Sequence, residues 1–261
     1  MKSMTLATLL AVLSFGAQGA VTTAAQYRLG ENDPGAAAGM PGAVQTQSNG
    51  VGAPLNRTGA PVYSSQTHPG ISSTLAMDFD GVTAEYGIAA PISAATDNFG
   101  IEAWVRADTA TGNAVVAYNG NTGTSGWGLF RLAGNWAFLY GGVILTGGAP
   151  VTTSAWTHLA VVRASGVTTL YVNGVRGPTS GAAPNVPSGG FAIAGNPINA
   201  TEPFDGRIDE VRAFTFAPGA FVVGDLNLGV PVSAPVPSTS PLSLALLAVA
   251  LLALGVFARR R

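Results

Sequence analysis

The amino-acid sequence predicts an all-β fold over residues 26–228, an antiparallel two-sheet β-sandwich with an apolar segment at each end of the chain. Three observations predict it. Short runs alternate apolar and polar residues, with no sustained helical period between them. Glycine (35) and proline (17) punctuate those runs, as many short strands joined by turns require. Asn173-Gly174 separates residues 168–172 from Val175, and that dipeptide accepts the positive φ angles of a two-residue hairpin.

The chain opens on a signal-peptide pattern over residues 1–19: Lys2, an apolar stretch from Met4 to Phe15, and Ala17-Gln18-Gly19 before a cut that leaves Ala20 first. A buried N-terminal helix is the alternative. Residues 34–68 are rich in Gly, Ala, Ser and Pro and read as a long irregular surface excursion. Strands are then expected at 75–79, 86–88, 99–105, 115–118, 127–132, 136–140, 156–163, 168–172, 191–193 and 207–216. In the 156–163 run both faces are largely apolar, which suits a strand deep in a sandwich. Residues 218–228 suggest a short closing helix. Next comes a stiff linker, residues 230–241, with Pro231, Pro235, Pro237 and Pro241. Residues 242–258 are continuously apolar apart from Ser243 and long enough, as a helix, to approach the short limit of a transmembrane span. Arg259-Arg260-Arg261 closes the chain as a basic cytoplasmic tail, placing the sandwich outside the membrane.

Composition narrows the partners. Between Arg28 and Asp225 stand 8 arginines and 13 acids, a formal charge of 8 − 13 = −5. That balance offers nothing for a phosphate backbone, so nucleic acid is not an expected partner. The chain has no cysteine, so the fold depends on its core alone. About 200 residues suffice, since a chain of that size buries roughly 70% of its unfolded surface.

Five motifs carry a family resemblance. Phe79-Asp80-Gly81, Phe99-Gly100-Ile101-Glu102-Ala103-Trp104-Val105, Trp156-Thr157-His158-Leu159-Ala160, Leu170-Tyr171-Val172-Asn173-Gly174 and Phe204-Asp205-Gly206-Arg207-Ile208-Asp209-Glu210-Val211-Arg212 occur in order over about 135 residues. With Tyr27-Arg28-Leu29-Gly30-Glu31 they resemble laminin-G-like domains of the concanavalin A-like lectin and glucanase jelly rolls. The C-terminus, with Val236-Pro237-Ser238 before the apolar segment and the arginines, resembles bacterial sorting signals of the PEP-CTERM and IPTL-CTERM kind. That likeness implies an exosortase-type membrane peptidase as a partner, although neither name-giving motif is present. A plain single-pass anchor is the alternative.

The resemblance implies a fold that hosts lectins, adhesion modules and glycosidases. Retaining glycosidases of this fold use Glu-x-Asp-x-x-Glu, which sets two carboxylates about 5 Å apart on one strand face. No such spacing occurs; Asp205, Asp209 and Glu210 come closest and belong to the Ile-Asp-Glu-Val motif. No catalytic residue is therefore assigned, and no enzyme activity is expected. His158 reads as a packed histidine with a satisfied hydrogen bond, and His68 as a solvated loop residue. With two distant histidines and no thiol, zinc is not expected. Calcium needs only oxygens, and the family implies one structural ion; Glu31, Asp80 and Asp209 are its candidate ligands, or else ordinary solvated and turn-capping acids. Tyr118, Trp127, Trp136 and Tyr140 are the candidate ligand-binding platform, because exposed aromatic faces suit the C–H face of a sugar ring; Trp104 and Trp156 are expected to be buried. Asn56-Arg57-Thr58 and Asn199-Ala200-Thr201 match N-glycosylation acceptors, a reading the bacterial-type signals argue against. The function these features favour is an exported, non-enzymatic surface or matrix module for extracellular glycan or glycoprotein. A structural matrix protein without a discrete ligand and a divergent glycosidase are the alternatives.

Overall fold

The computed structural model describes residues 21–145 and 148–229. The expected signal peptide, proline-rich linker, transmembrane segment and basic tail lie outside the described residues. Among the described residues sixteen strands form: β1 (Val21–Tyr27), β2 (Gln45–Thr46), β3 (Leu55–Thr58), β4 (Val62–Ser64), β5 (Ala76–Asp80), β6 (Glu85–Ile88), β7 (Phe99–Ala107) and β8 (Ala114–Asn121). They continue as β9 (Ser125–Leu132), β10 (Asn135–Tyr140), β11 (Val143–Leu145), β12 (Thr157–Ala164), β13 (Val167–Val172), β14 (Val175–Ser180), β15 (Gly190–Ile193) and β16 (Asp205–Phe216).

All pair antiparallel, in two sheets of eight. The first runs β14-β13-β12-β7-β16-β5-β4, with β1 on the far half of the long β16. The second runs β11-β10-β9-β8-β15-β6-β3-β2. The all-β sandwich expected from alternation is the fold observed.

Alternation decides which side chains meet between the sheets. On β7, Phe99, Ile101, Ala103, Val105 and Ala107 enter the shared core, which leaves Gly100, Glu102, Trp104 and Arg106 on the outer face. The second sheet answers with Trp127, Leu129, Trp136, Phe138, Phe191 and Ile193. Aromatic pairs fasten the layers: Phe99 stacks on Trp127 at 4.3 Å between ring centroids, and Tyr27 on Phe191 at 5.8 Å.

The outer face of β12 is apolar for a reason the sequence left open. Ala160 and Val162 join Tyr171, Phe214 and Phe216 in a second cluster, covered by Phe221, Leu226 and Leu228 of the C-terminal segment. That segment crosses the first sheet as an extended strap and forms only one 3-10 turn, Val223–Asp225, where a closing helix was expected. Gly100 belongs to this packing: a Cβ there would enter the Phe214 ring. The Asn173-Gly174 hairpin forms as expected, with φ of 51° and 74°. Asn173 also ties back to β12, accepting the His158 N–H at Oδ1 (2.8 Å).

Residues 34–68 are less irregular than expected, because β2, β3 and β4 lie within them and extend both sheets. Asp33 organises the stretch: its carboxylate accepts from the Thr46 and Tyr63 hydroxyls (2.9 and 2.7 Å) and the Gln47 N–H (2.6 Å). One buried carboxylate thus replaces the apolar pattern that strand prediction depends on. Trp156, expected in the core, is half-buried because it precedes the first paired residue of β12.

Candidate functional site

The four aromatics expected to form a sugar platform are all buried, Tyr118 in a small cluster with Val115, Phe130, Ala137 and Leu139 on the outer side of the second sheet and the other three between the sheets. Trp127 and Trp136 are 0% and 1% exposed, and Tyr118 and Tyr140 are 0% and 3%. Trp127, Trp136 and Tyr140 occupy the inter-sheet core, and Trp127 donates its indole N–H to the Ala95 carbonyl (2.9 Å). Tyr140 bonds the Thr168 hydroxyl. Tyr118 donates to the Ser125 carbonyl (2.9 Å) and accepts the Gly141 N–H (2.8 Å). Burial pushes the phenols of Tyr118 and Tyr140 up. No ring face of the four is open to a ligand. Composition marked them as aromatic strand residues, but only the register of each strand decides which face they occupy.

The motif residues Glu102, His158 and Arg212 converge on the outer face of the first sheet, where cross-strand register sets Glu102 opposite both Ala160 and Arg212. Glu102 is fully buried and accepts from the Arg212 guanidinium, from His158 Nε2 (3.0 Å) and from the Asn227 N–H (2.9 Å). A carboxylate only accepts, so Nε2 of His158 carries the proton. Trp104 donates to the Asn227 carbonyl (2.9 Å), and Arg212 reaches the carbonyl of Asp225. This network clamps the strap and lies beneath it. His158 is the packed histidine expected; His68, expected to be solvated, is half-buried and stacks on Trp104 at 3.8 Å, and burial, then the nearby His158, lowers its pKa.

The candidate calcium ligands divide. Asp80 is exposed, and its Oδ1 accepts the N–H groups of Val82, Thr83 and Ala84 (2.9, 3.0 and 3.0 Å), the turn-capping alternative. Its slight burial pushes the carboxyl up, but the three N–H groups outweigh that and hold it below the usual range. Glu31 and Asp209 are different. Oε1 of Glu31 accepts the N–H of Leu75 (2.8 Å), the Ser73 hydroxyl (2.7 Å) and the N–H of Thr74 (2.5 Å), while its buried Oε2 has no partner. Oδ1 of Asp209 accepts the Glu210 N–H (2.8 Å), while its buried Oδ2 has none. Burial, joined by the neighbouring Glu210 and Glu31 charges, holds Asp209 well above the ordinary carboxylate range despite the Ser73 hydroxyl beside it. A β-bulge in β16 creates the spot, with Glu210 at φ 49° and held by Arg28 (2.8 Å) and Gln26 (3.2 Å). Two buried carboxylate oxygens without donors fit a hard cation that takes oxygen ligands. Among the described residues no group of three or more acids or histidines converges as a metal cluster, so the remaining ligands would be backbone or hydroxyl oxygens.

A third feature was not anticipated. On the outer face of the second sheet, β3, β6 and β15 frame a depression of about 230 Å³. Buried Leu55 and Tyr86 leave their neighbours Asn56, Thr58, Glu85 and Gly87 facing outward. Gly87 and Ala192 supply a floor without bulky side chains, and Pro197 forms a wall. Glu85 is the one charged lining residue; burial pushes its carboxyl up, with the Thr58 hydroxyl working against that, and its Oε2 has no partner. The cavity lies below the roughly 300–1,000 Å³ of sites for drug-sized ligands, and its polar rim and small floor suit one polyhydroxylated ring. The signal was present in the sequence only as polar residues at alternate positions of two short strands, and Asn56 to Thr58 drew notice solely as a glycosylation acceptor.

The concanavalin A-like lectin/glucanases superfamily, in its laminin-G form, matches residues 80–220. Among curated proteins no sequence matches. Domain 4 of AbnA, a GH43 extracellular arabinanase from Geobacillus stearothermophilus solved with arabinotriose, is similar at a TM-score of 0.58 and 18% identity; the match covers 78% of this chain and 96% of that one. The receptor-binding domain of botulinum neurotoxin type G (TM-score 0.51, 13% identity) matches 69% of this chain and 46% of its own. Trypanosoma rangeli sialidase in complex with an inhibitor (TM-score 0.50, 14% identity) matches 78% and 32%. The chain thus spans less than half of the latter two. At these identities the likeness concerns the fold.

Proposed function

The chain belongs to the concanavalin A-like lectin/glucanases superfamily, and from that premise we propose that its folded body is a non-enzymatic carbohydrate-binding module working outside the cytoplasm. One observation carries the reading: the Asn56, Thr58 and Glu85 rim over the Gly87 and Ala192 floor. Sugar hydroxyls would meet the carboxylate and amide at that rim, while the floor admits a flat ring. The arabinanase domain solved with arabinotriose and the receptor-binding domain of the neurotoxin add support from the same fold. The missing Glu-x-Asp-x-x-Glu pattern supports a binding role over hydrolysis. Asp209 lies buried and Glu210 is held by Arg28, so these two have tasks other than flanking a glycosidic bond.

Asn56→Ala combined with Gly87→Val is expected to weaken oligosaccharide binding by the full-length chain at least tenfold, roughly the effect of one lost hydrogen bond plus steric filling. A glycan array followed by calorimetry reads the change. Unchanged binding would move the site elsewhere.

Export completes the proposal. The residues 1–19 pattern, the apolar 242–258 segment and the three terminal arginines support an envelope or extracellular location, with membrane attachment through the C-terminal helix and processing by an exosortase-type peptidase. Among the described residues no helix is long and apolar enough to cross a membrane. Protease added to intact cells is expected to digest the sandwich; full protection in cells with an intact inner membrane and a permeabilised outer envelope would refute the placement.

A structural calcium ion belongs to the same reading, with Glu31 and Asp209 as its carboxylates. Bound only by the folded state, it would stabilise by about 2.7 kcal/mol at a hundredfold excess over its dissociation constant. Calcium is therefore expected to raise the melting temperature and a chelator to lower it. An Asp209→Asn chain should lose the response, and a wild-type chain indifferent to both additions would exclude the ion.

A further inference from the structure

We infer that the depression on the second sheet selects uncharged or amino-bearing sugar rings and rejects anionic ones such as sialic and uronic acids. The inference rests on the carbohydrate reading above and specifies its substrate class.

The strands of the second sheet contain two cationic residues, Arg57 and Arg131. Each lies at a position whose side chain turns inward. Arg57 alternates with outward Asn56 and Thr58, and its Nη1 donates to the Gly42 carbonyl (2.5 Å). Arg131 is 3% exposed, donates to the Thr109 carbonyl (2.5 Å) and lies over the Phe204 ring at 5.7 Å. Neither can reach a ligand on the outer face. The lining of the depression contains no Lys, Arg or His, and its charged member is Glu85. Glu85 lies close to Gly195, where an added Cβ would meet its Oε2.

A ring carboxylate entering the depression would therefore meet the acidic Glu85 side chain in a half-buried wall, with no arginine fork to receive it. Like-charge juxtaposition of this kind opposes binding strongly. Hydroxyl groups meet no such obstacle, since they donate to the Glu85 carboxylate and accept from the Asn56 amide. An ammonium group on an amino sugar gains an ion pair at the same place.

The test compares matched rings on the full-length chain: glucose with glucuronate oligosaccharides, and galactose-terminated with sialylated glycans. The neutral member of each pair is expected to bind at least about tenfold more tightly, with the gap narrowing in high salt. Glu85→Gln, nearly isosteric, should shrink the gap several-fold at an unchanged melting temperature. Asn56→Arg, at an exposed rim position, should bring the acidic ring level with the neutral one or ahead of it. Equal affinity of wild type for both members, or a gap that neither variant alters, would overturn the inference while leaving the carbohydrate reading intact. Failure of the wild-type chain to bind any ring would overturn both.

Discussion

Glu102→Ala is expected to destabilise the sandwich by about 3–5 kcal/mol, the range for removing one partner of a buried ion pair. For a fold of about 200 residues that corresponds to a fall of roughly 6–20 °C in melting temperature. Three groups lose their acceptor at once: the Arg212 guanidinium, the imidazole N–H of His158 and the backbone N–H of Asn227. Arg212→Ala should do less harm, because Glu102 keeps the donors of His158 and Asn227 when Arg212 is gone. Glu102→Gln should fall between, preserving volume but not charge. The variants also differ in a local readout. Asn227 is the bond by which Glu102 holds the strap, so Glu102→Ala should expose residues 217–229 to protease before the sandwich unfolds. A Glu102→Ala chain that melts like wild type, with its strap resistant, would show that the network contributes nothing to holding the strap.

Trp127→Ala is expected to cost about 3–5 kcal/mol, as large aromatic deletions from a packed core do. Trp127 stacks on Phe99 across the two sheets, and its indole bonds the Ala95 carbonyl. Removing it opens a cavity and leaves that carbonyl without a donor. Trp127→Phe keeps a ring against Phe99 but loses the bond, so about 1–3 kcal/mol is expected from the unpaired carbonyl. Chemical denaturation measures both, and the midpoint should move while the slope stays fixed. The same pair of variants separates core from platform. A Trp127→Ala chain of native stability that no longer bound glycan would return this residue to a stacking role, and the packing described for it would be wrong.

The sequence made the fold legible because the sandwich relies on period-two alternation and on a two-residue hairpin, both of which are local. Ile101, Ala103 and Val105 announce an inward face without help from any other strand. The strap was not legible in that way. Phe221, Leu226 and Leu228 have no regular period, since they follow the contour of a surface already formed by Val162, Phe214 and Phe216. The acidic site was half legible. Glu31 and Asp209 each keep a buried carboxylate oxygen without a donor, but Asp80 caps its own turn, a choice made by three N–H groups within four residues of it. The depression on the second sheet was invisible, because its shape comes from β3, β6 and β15, which are adjacent in space and separated by up to about 135 residues in sequence. Aromatic content suggested a sugar site in the wrong place for the same reason: whether a strand aromatic faces core or solvent is fixed by register, which a single sequence does not display.

Hydrogen exchange of the full-length chain with and without a neutral oligosaccharide locates the binding surface. Slower exchange is predicted in residues 55–58, 85–89 and 190–197, with the strap and the outer face of the first sheet unchanged. Protection confined to the first sheet, or none at saturating sugar, would contradict a binding site on the β3, β6 and β15 surface.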